Sequence, residues 1–275
     1  MGRKQYWNSE AKNARWIKEG RGQGIGQEYK PWLTVRDVAS KGRSHRVYGH
    51  LTQRTHHLLS DLELATFLLL QWRQSTTDIR EQFPLDPEIT THICLDTGIL
   101  HPSHSGVIQY MSSDFLVNSS DQKHPNFVIQ VKHSSALEDQ RIIEKLQIER
   151  RYWIEKEIPW YLVTEKKIPS IVFTNIDWLY NLQEEESVDG ENFKQFEYYS
   201  EWLKQNSNLK IIDFCKHLDF SYSLELGESL FQLRNMLAKR YFHFDITIPY
   251  TELRCSDLVS ESVDSIVEIM HVSGK

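Results

Sequence analysis

Residues 56–72, HHLLSDLELATFLLLQW, constrain the fold more than any other stretch. Leu58, Leu62, Ala65, Leu69 and Trp72 recur at helical spacing. Leu64, Phe67, Leu68 and Leu70 fill the remaining faces, so the helix is apolar nearly all round. Such a helix must be packed between other elements. Its only acids, Asp61 and Glu63, fall in its first turn. Ser60-x-x-Glu63 has the spacing of a capping box, in which the Glu63 side chain satisfies a backbone N–H at the helix start. Acids also suit the positive end of a helix dipole. On the pattern alone, capping accounts for Glu63 better than chemistry does.

The segments that follow read largely as sheet. TTDIREQFPL (76–85) is strand-like and closed by Pro84, and THICLDTG (91–98) is strand-like and closed by Gly98. QYMSSDFLVNSS, FVIQVK and IPWYLVT are further strands. A charged helix is predicted from about Ala136 to Lys156, with Leu137, Ile142, Leu146, Ile148 and Tyr152 making its contacts. Glu144, Lys145, Glu149, Arg150 and Arg151 are expected on its solvated faces, although Glu149 is also able to face a site.

Three polar residues interrupt these strands. Asp114 breaks a half-buried run, so it either faces water at a strand end or is aimed at something positive. Gln130 and Lys132 stand two residues apart and therefore share one face. An edge strand with one wet face accounts for that pair; so does a catalytic face.

The chain of 275 residues suits one large domain or two smaller ones. No apolar run approaches the ~18 residues of a membrane span, and the start has no apolar core of a secretory signal. Cys94, Cys215 and Cys255 are odd in number and far apart, which argues against a disulfide framework or a zinc site. A reducing, cytoplasmic location fits. Residues 1–54 carry twelve Lys or Arg against four acids, while the whole chain has a net charge of −6. A basic arm on an acidic body can touch phosphates locally. Within the arm, a first helix is predicted from Asn8 or Ser9 to about Lys18, with Ala11, Ala14, Trp16 and Ile17 apolar. GRGQGIG (20–26) lacks the Lys-Ser/Thr of a phosphate-binding loop and reads as a flexible connector. His45, His50, His56, His57, His101, His104 and His133 show no metal-ligand spacing and are expected on surfaces or loops.

The order helix, four strands, helix, strand places Glu63, Asp114, Gln130 and Lys132 in the arrangement of the restriction-endonuclease-like nucleases. Their usual signature is Asp, a spacer, then Asp or Glu, any residue, and Lys. Phosphodiester hydrolysis needs hard oxygen ligands to hold Mg²⁺ at the scissile phosphate, where the ion activates water and offsets charge. Glu63 and Asp114 supply anionic oxygens, and the Gln130 side chain or the Val131 carbonyl would complete the set. Lys132 orients or deprotonates water, or stabilises developing charge. Gln130 stands where most such nucleases have a carboxylate, so metal is expected to bind less tightly before DNA arrives.

GRGQG, YKPWLTV, GRSHRVY, HHLLSDLELA, DIREQFPL, MSSDFLV, IQVK and ERRYW occur in this order between residues 20 and 153. Together they resemble the TnsA family, the endonuclease subunits of heteromeric cut-and-paste DNA transposons. CKHLDFSYSLELG is a weaker match near the C-terminus, so the likeness covers nearly the whole chain. It implies catalytic roles for Glu63, Asp114, Gln130 and Lys132, which outweighs capping as the reason for Glu63. It implies Mg²⁺, with Mn²⁺ able to substitute, and double-stranded transposon-end DNA as substrate. It implies cutting of the strand at the 5′ ends beside a TnsB-like transposase that acts on the 3′ ends. A TnsC-like, ATP-using regulator links both to target selection. A non-catalytic assembly factor with a retained nuclease fold is the alternative, and the full set of four residues weighs against it. A stand-alone restriction enzyme does not explain the matching segments outside the catalytic core.

The expected fold is α/β: a restriction-endonuclease-like mixed sheet flanked by helices in residues 1–167, then a smaller, mainly helical, winged-helix-like domain in 168–275. LQEEESVDGEN (182–192) reads as an acidic loop. Asp213 and Ser223 are expected to start two helices, the second with Leu226, Leu230, Leu233 and Leu237 as its buried stripe, before a strand through Phe242, Phe244 and Ile246. Arg234, Lys239 and Arg240 are candidates for phosphate contact. Nearby Asp213, Asp219, Glu225, Glu228 and Asp245 make protein docking at least as good a reading. The last twenty residues are left without an assigned element.

Overall fold

A computed structural model of the chain describes residues 7–38, 42–183 and 189–260. It divides into two compact units between Ile168 and Pro169. Arg3, Lys4 and Lys41 of the basic arm, residues 184–188 of the acidic stretch and residues 261–275 of the tail lie outside the described residues.

The first unit opens with α1 (Glu10–Lys18), capped by Ser9, whose Oγ accepts from Lys12 N at 3.3 Å. Trp16 is its buried anchor, whereas Ile17 is exposed. The glycine-rich segment after it is a bonded turn rather than a loose connector. Lys30 O accepts from Gly22 N at 2.6 Å and Gln23 O accepts from Lys30 N at 3.1 Å. Gly22 has φ +77°, and a Cβ there would lie 2.3 Å from Pro84 Cγ, so only glycine fits.

A hairpin of β1 (His45–Gly49) and β2 (Arg54–Leu58) leads into α2 (Asp61–Trp72). Leu62, Ala65, Phe67, Leu68 and Leu70 are buried, as all-round apolarity requires. β3 (Thr76–Pro84) follows. The segment predicted to be the next strand is instead α3 (Pro87–Thr97). Its punctuation is helical: Asp86 caps by accepting from Glu88 N at 2.9 Å, Pro87 takes the first turn, and Gly98 closes it at φ +66°. Ile93 and Cys94 form its buried face. A short hairpin, β4 (Ser103–His104) and β5 (Val107–Ile108), precedes β6 (Ser112–Ser119), β7 (Asn126–Val131), α4 (Gln140–Glu155) and β8 (Trp160–Val163).

The central sheet has the order β3-β6-β7-β8. β3, β6 and β7 pair antiparallel, with Phe115 opposite Ile129, while β8 runs parallel to β7, with Trp160 beside Val128. The sheet is therefore mixed. α3 and α4 bury Ile93, Cys94, Ile148, Tyr152 and Trp153 against Leu85, Leu116 and Val128. α2 packs against the β1–β2 hairpin, β3 and β7. A mixed sheet flanked by helices is what the strand and helix pattern anticipates.

One buried ionic cluster ties the hairpin to β3. Glu81 is fully buried; its Oε1 accepts from Arg54 Nη1 at 2.9 Å and from His57 N at 3.1 Å. His56 Nδ1 lies 2.8 Å from Glu81 Oε2, and His56 Nε2 is 2.6 Å from Thr52 Oγ1. His56 is thus a core residue and not the surface histidine expected. Burial would raise the Glu81 carboxyl, but His56 and Arg54 outweigh it and hold it well below the usual carboxylate range.

The second unit comprises α5 (Ser170–Tyr180), α6 (Asp189–Gln205), α7 (Ile211–Ser221) and α8 (Glu228–Ala238). β9 (Phe242–His243) then pairs antiparallel with β10 (Val259–Ser260). α6 begins inside the stretch expected to be an acidic loop. Lys210, not Asp213, is the cap position of α7. α8 starts after Gly227 and not at Ser223, because Asp219 reaches over from α7 and accepts from Gly227 N at 2.7 Å and Ser229 N at 2.9 Å. Leu233 and Leu237 are buried, but Leu226 precedes the helix and is exposed.

Replacing Glu81 by Ala leaves Arg54 without its buried counter-charge and His56 Nδ1 without its partner. We expect Glu81→Ala to lower unfolding free energy by about 3–5 kcal/mol in urea titrations.

Candidate active site

Three elements converge at one point. The first turn of α2 presents Glu63, β6 presents Asp114, and the end of β7 presents Gln130 and the following Lys132. Glu63 and Asp114 are both buried. Half of the expected capping box forms: Ser60 Oγ accepts from Glu63 N at 3.1 Å, but Glu63 Oε2 accepts from Leu59 N at 2.9 Å, one residue before the cap, and not from Ser60 N. Capping and convergence on Asp114 are therefore compatible uses of the same carboxylate.

Asp114 is bound from three sides. Its Oδ2 accepts from Val131 N at 2.7 Å and from Lys132 Nζ at 3.4 Å, and its own N–H donates to Gln130 Oε1 at 3.0 Å. Lys132 Nζ also donates to Val131 O at 2.7 Å. Gln130 thus spends its carbonyl oxygen on the β6 backbone. Gln82 completes the arrangement: its Nε2 lies 3.4 Å from both Glu63 Oε2 and Asp114 Oδ1, and Ser112 Oγ donates to its Oε1 at 3.1 Å. Gln82 is buried in the left-handed region at φ +49°. The amide sits between two carboxylates that would otherwise face each other directly. The strand pattern of DIREQFPL carried no sign of this role.

Glu149 is corrected most sharply. It was expected among surface charges, but only 3% of it is exposed. Its Oε1 accepts from Ser113 Oγ at 2.7 Å and from Trp160 Nε1 at 3.0 Å, while Trp153 Nε1 donates to Ser113 Oγ at 2.8 Å. Its position between Leu146 and Trp153 on the buried stripe of α4 was the available signal.

The electrostatics of this cluster follow from too many acids for one lysine. Burial, then the negative charge of Asp114, pushes the Glu63 carboxyl up to about 8. Burial pushes Glu149 up to about 7. Burial alone would lower the Lys132 ammonium, but Asp114, Glu149 and Glu63 outweigh it and hold it above the usual lysine value. Lys132 is therefore a fixed cation. Among the described residues, no group of three or more His, Cys, Asp or Glu is arranged to hold a metal ion. The oxygens that meet here belong to two carboxylates and a main-chain carbonyl.

Residues 73–165 match the family description TnsA-like endonuclease N terminal, and residues 167–246 match TnsA endonuclease C terminal. With the mixed α/β fold, these matches define the class as a transposition endonuclease. The chain is also 48% identical over 265 residues to the Transposon Tn7 transposition protein TnsA of Escherichia coli, covering 96% of this chain and 97% of that protein. The chain belongs to the TnsA family.

Because the folded Glu63 holds its proton up to about pH 8, the folded state binds more protons than the unfolded chain above pH ~4.5. Stability of metal-free protein should fall as pH rises through that window. Glu63→Gln should flatten the fall and gain about 1–3 kcal/mol over wild type above pH 8, read by denaturant titration with chelator present. Glu149→Ala leaves Ser113 and Trp160 donors without an acceptor and should cost about 1–3 kcal/mol in the same assay.

Proposed function

We propose that the chain is a divalent-metal-dependent DNA endonuclease that cuts the strand at the 5′ ends of a transposon. The observation that carries this reading is the meeting of Glu63, Asp114 and Lys132 around one point, with Asp114 anchored by Val131 N–H. A binding scaffold has no use for two buried carboxylates brought to either side of one amide beside a lysine.

The donor set fits a hard cation. Glu63 and Asp114 offer carboxylate oxygens, and Val131 offers a main-chain carbonyl on the same side as Lys132. A divalent ion would offset the burial and the neighbouring Asp114 charge that keep Glu63 protonated. The Gln130 side-chain oxygen is engaged with Asp114 N–H and the Val131 carbonyl with Lys132 Nζ, so in this reading either one becomes the third oxygen by giving up that bond. Mg²⁺ is the proposed ion and Mn²⁺ its substitute; when bound, it supplies Lewis-acid stabilisation of charge on the phosphate. Lys132, held protonated by its neighbours, balances charge on the scissile phosphate and does not serve as the base. Gln82 keeps the two carboxylates apart at a set spacing.

In this reading a TnsB-like transposase cuts the 3′ ends and a TnsC-like ATP-using regulator governs target choice. The basic arm positions DNA through phosphates, and sequence recognition falls largely to the transposase. In this reading the chain works on DNA in the cytoplasm; no helix among the described residues is long and apolar enough to cross a membrane. For the second unit, α7, a turn, α8 and the β9–β10 pair support a winged-helix-like module. Its Arg234 is occupied: it donates to Trp178 O and sits 4.9 Å from the Trp178 ring centroid. That favours partner docking over phosphate contact at this residue.

Strand-specific cleavage of end-labelled transposon-end DNA tests the proposal, with Mg²⁺ and both partners present. Wild type should give the 5′-strand cut, and Asp114→Ala should lose it by at least about a thousandfold while still assembling with the partners. Identical products from the two proteins would sink the nuclease reading in favour of a non-catalytic assembly factor.

A further inference from the structure

Beside the proposed site lies a cavity of about 450 Å³, within the range that holds a small ligand. Gln130, Lys132 and Glu149 form the part of its wall shared with the site. The opposite wall is aromatic: Trp7, Trp16, Trp32 and Tyr110. Trp32 and Tyr110 have ring centroids 4.3 Å apart, Trp16 meets Trp32 edge-on at 5.2 Å, and Trp7 stacks on His104 at 4.9 Å. Trp16 and Trp32 are core residues, whereas Trp7 and Tyr110 are half-buried where they line the cavity.

Two polar features of this cavity have no use in the fold. Trp16 is fully buried, yet its Nε1 finds no acceptor among the described residues. Lys145, one turn before Glu149 on α4, also lines the cavity and makes no ion pair or hydrogen bond among the described residues. An aromatic wall, an unused indole donor and an unused ammonium together describe a ligand with a flat face, an acceptor on its edge and a negative charge.

We propose that this cavity receives one unstacked nucleotide of the DNA next to the scissile phosphate. The base lies against Trp7 and Tyr110, the two of these rings that are only partly buried, and its phosphate sits at Lys145. The inference rests on the nuclease reading and adds a physical requirement to it. Every base has a face that can stack on an aromatic ring, so such a pocket is tolerant of sequence. Extruding a nucleotide costs stacking and pairing energy, which the pocket returns. In exchange, the backbone is bent so that the neighbouring phosphate reaches Lys132. Trp7 and Lys145 are positioning residues in this scheme.

The test uses the full reconstituted cleavage reaction with a set of transposon ends, each carrying one abasic site near the cut. Trp7→Ala should slow cutting of intact DNA about tenfold. At one abasic position, and only there, wild type and Trp7→Ala should cut within about twofold of each other, because no base remains to be stacked. Lys145→Ala should stay slow at that position and recover in Lys145→Arg. A Trp7→Ala defect of the same size at every position would overturn the proposal and point to a partner-protein side chain in the cavity. No cutting of intact DNA by wild type would remove the nuclease reading, and this inference with it.

Discussion

The carboxylate of Asp114 is the junction on which the first unit depends. It binds the main-chain N–H of Val131 at 2.7 Å and the ammonium of Lys132 at 3.4 Å, while its own N–H holds Gln130. These bonds join β6 to β7 beyond their last regular pair, Phe115 with Ile129. A charged group buried at a strand end is stable only when its hydrogen bonds are met. The second oxygen meets the Gln82 amide at 3.4 Å, which also reaches Glu63.

Around that junction, charge is deliberately out of balance. Glu63, Asp114 and Glu149 gather near one Lys132, and burial, with the charge of Asp114 adding to it, makes both glutamates hold their protons more tightly. The Glu81 cluster, buried in the same unit, shows the opposite solution: Arg54 and His56 surround one carboxylate and keep it ionised. A balanced cluster serves the fold. An acid-rich cluster stores demand for positive charge, which a cation and the approach of a phosphate can meet together.

The aromatic cavity extends this logic from charge to shape. It adjoins the carboxylate site through Gln130, Lys132 and Glu149, so whatever fills it sits close to the group being cut. The arm that contributes Trp7, Trp16 and Trp32 is held to the sheet by the glycine turn, where Gly22 meets Pro84 and Gly26 N donates to Asp78 at 3.2 Å. Basic and aromatic residues of the arm are therefore placed by the same contacts that brace β3.

Local pattern by itself determined much of this protein. Apolar residues on every face of α2 required its burial, and β-rich segments defined β3, β6, β7 and β8. Residue type and resemblance to a known family singled out Glu63, Asp114, Gln130 and Lys132, which the fold brings close together. Where local signals competed, reading failed: Asp86, Pro87 and Gly98 punctuate a helix, yet the apolar run between them resembled a strand. Tertiary structure alone decided the rest. Glu149 and His56 look like surface groups in one dimension, and only packing reveals the donors and counter-charges that make their burial tolerable. Gln82 acquires its place between two carboxylates from chain segments 19 and 32 residues away. Periodicity reports which face of an element is apolar; it carries no information about which distant polar group will meet it there.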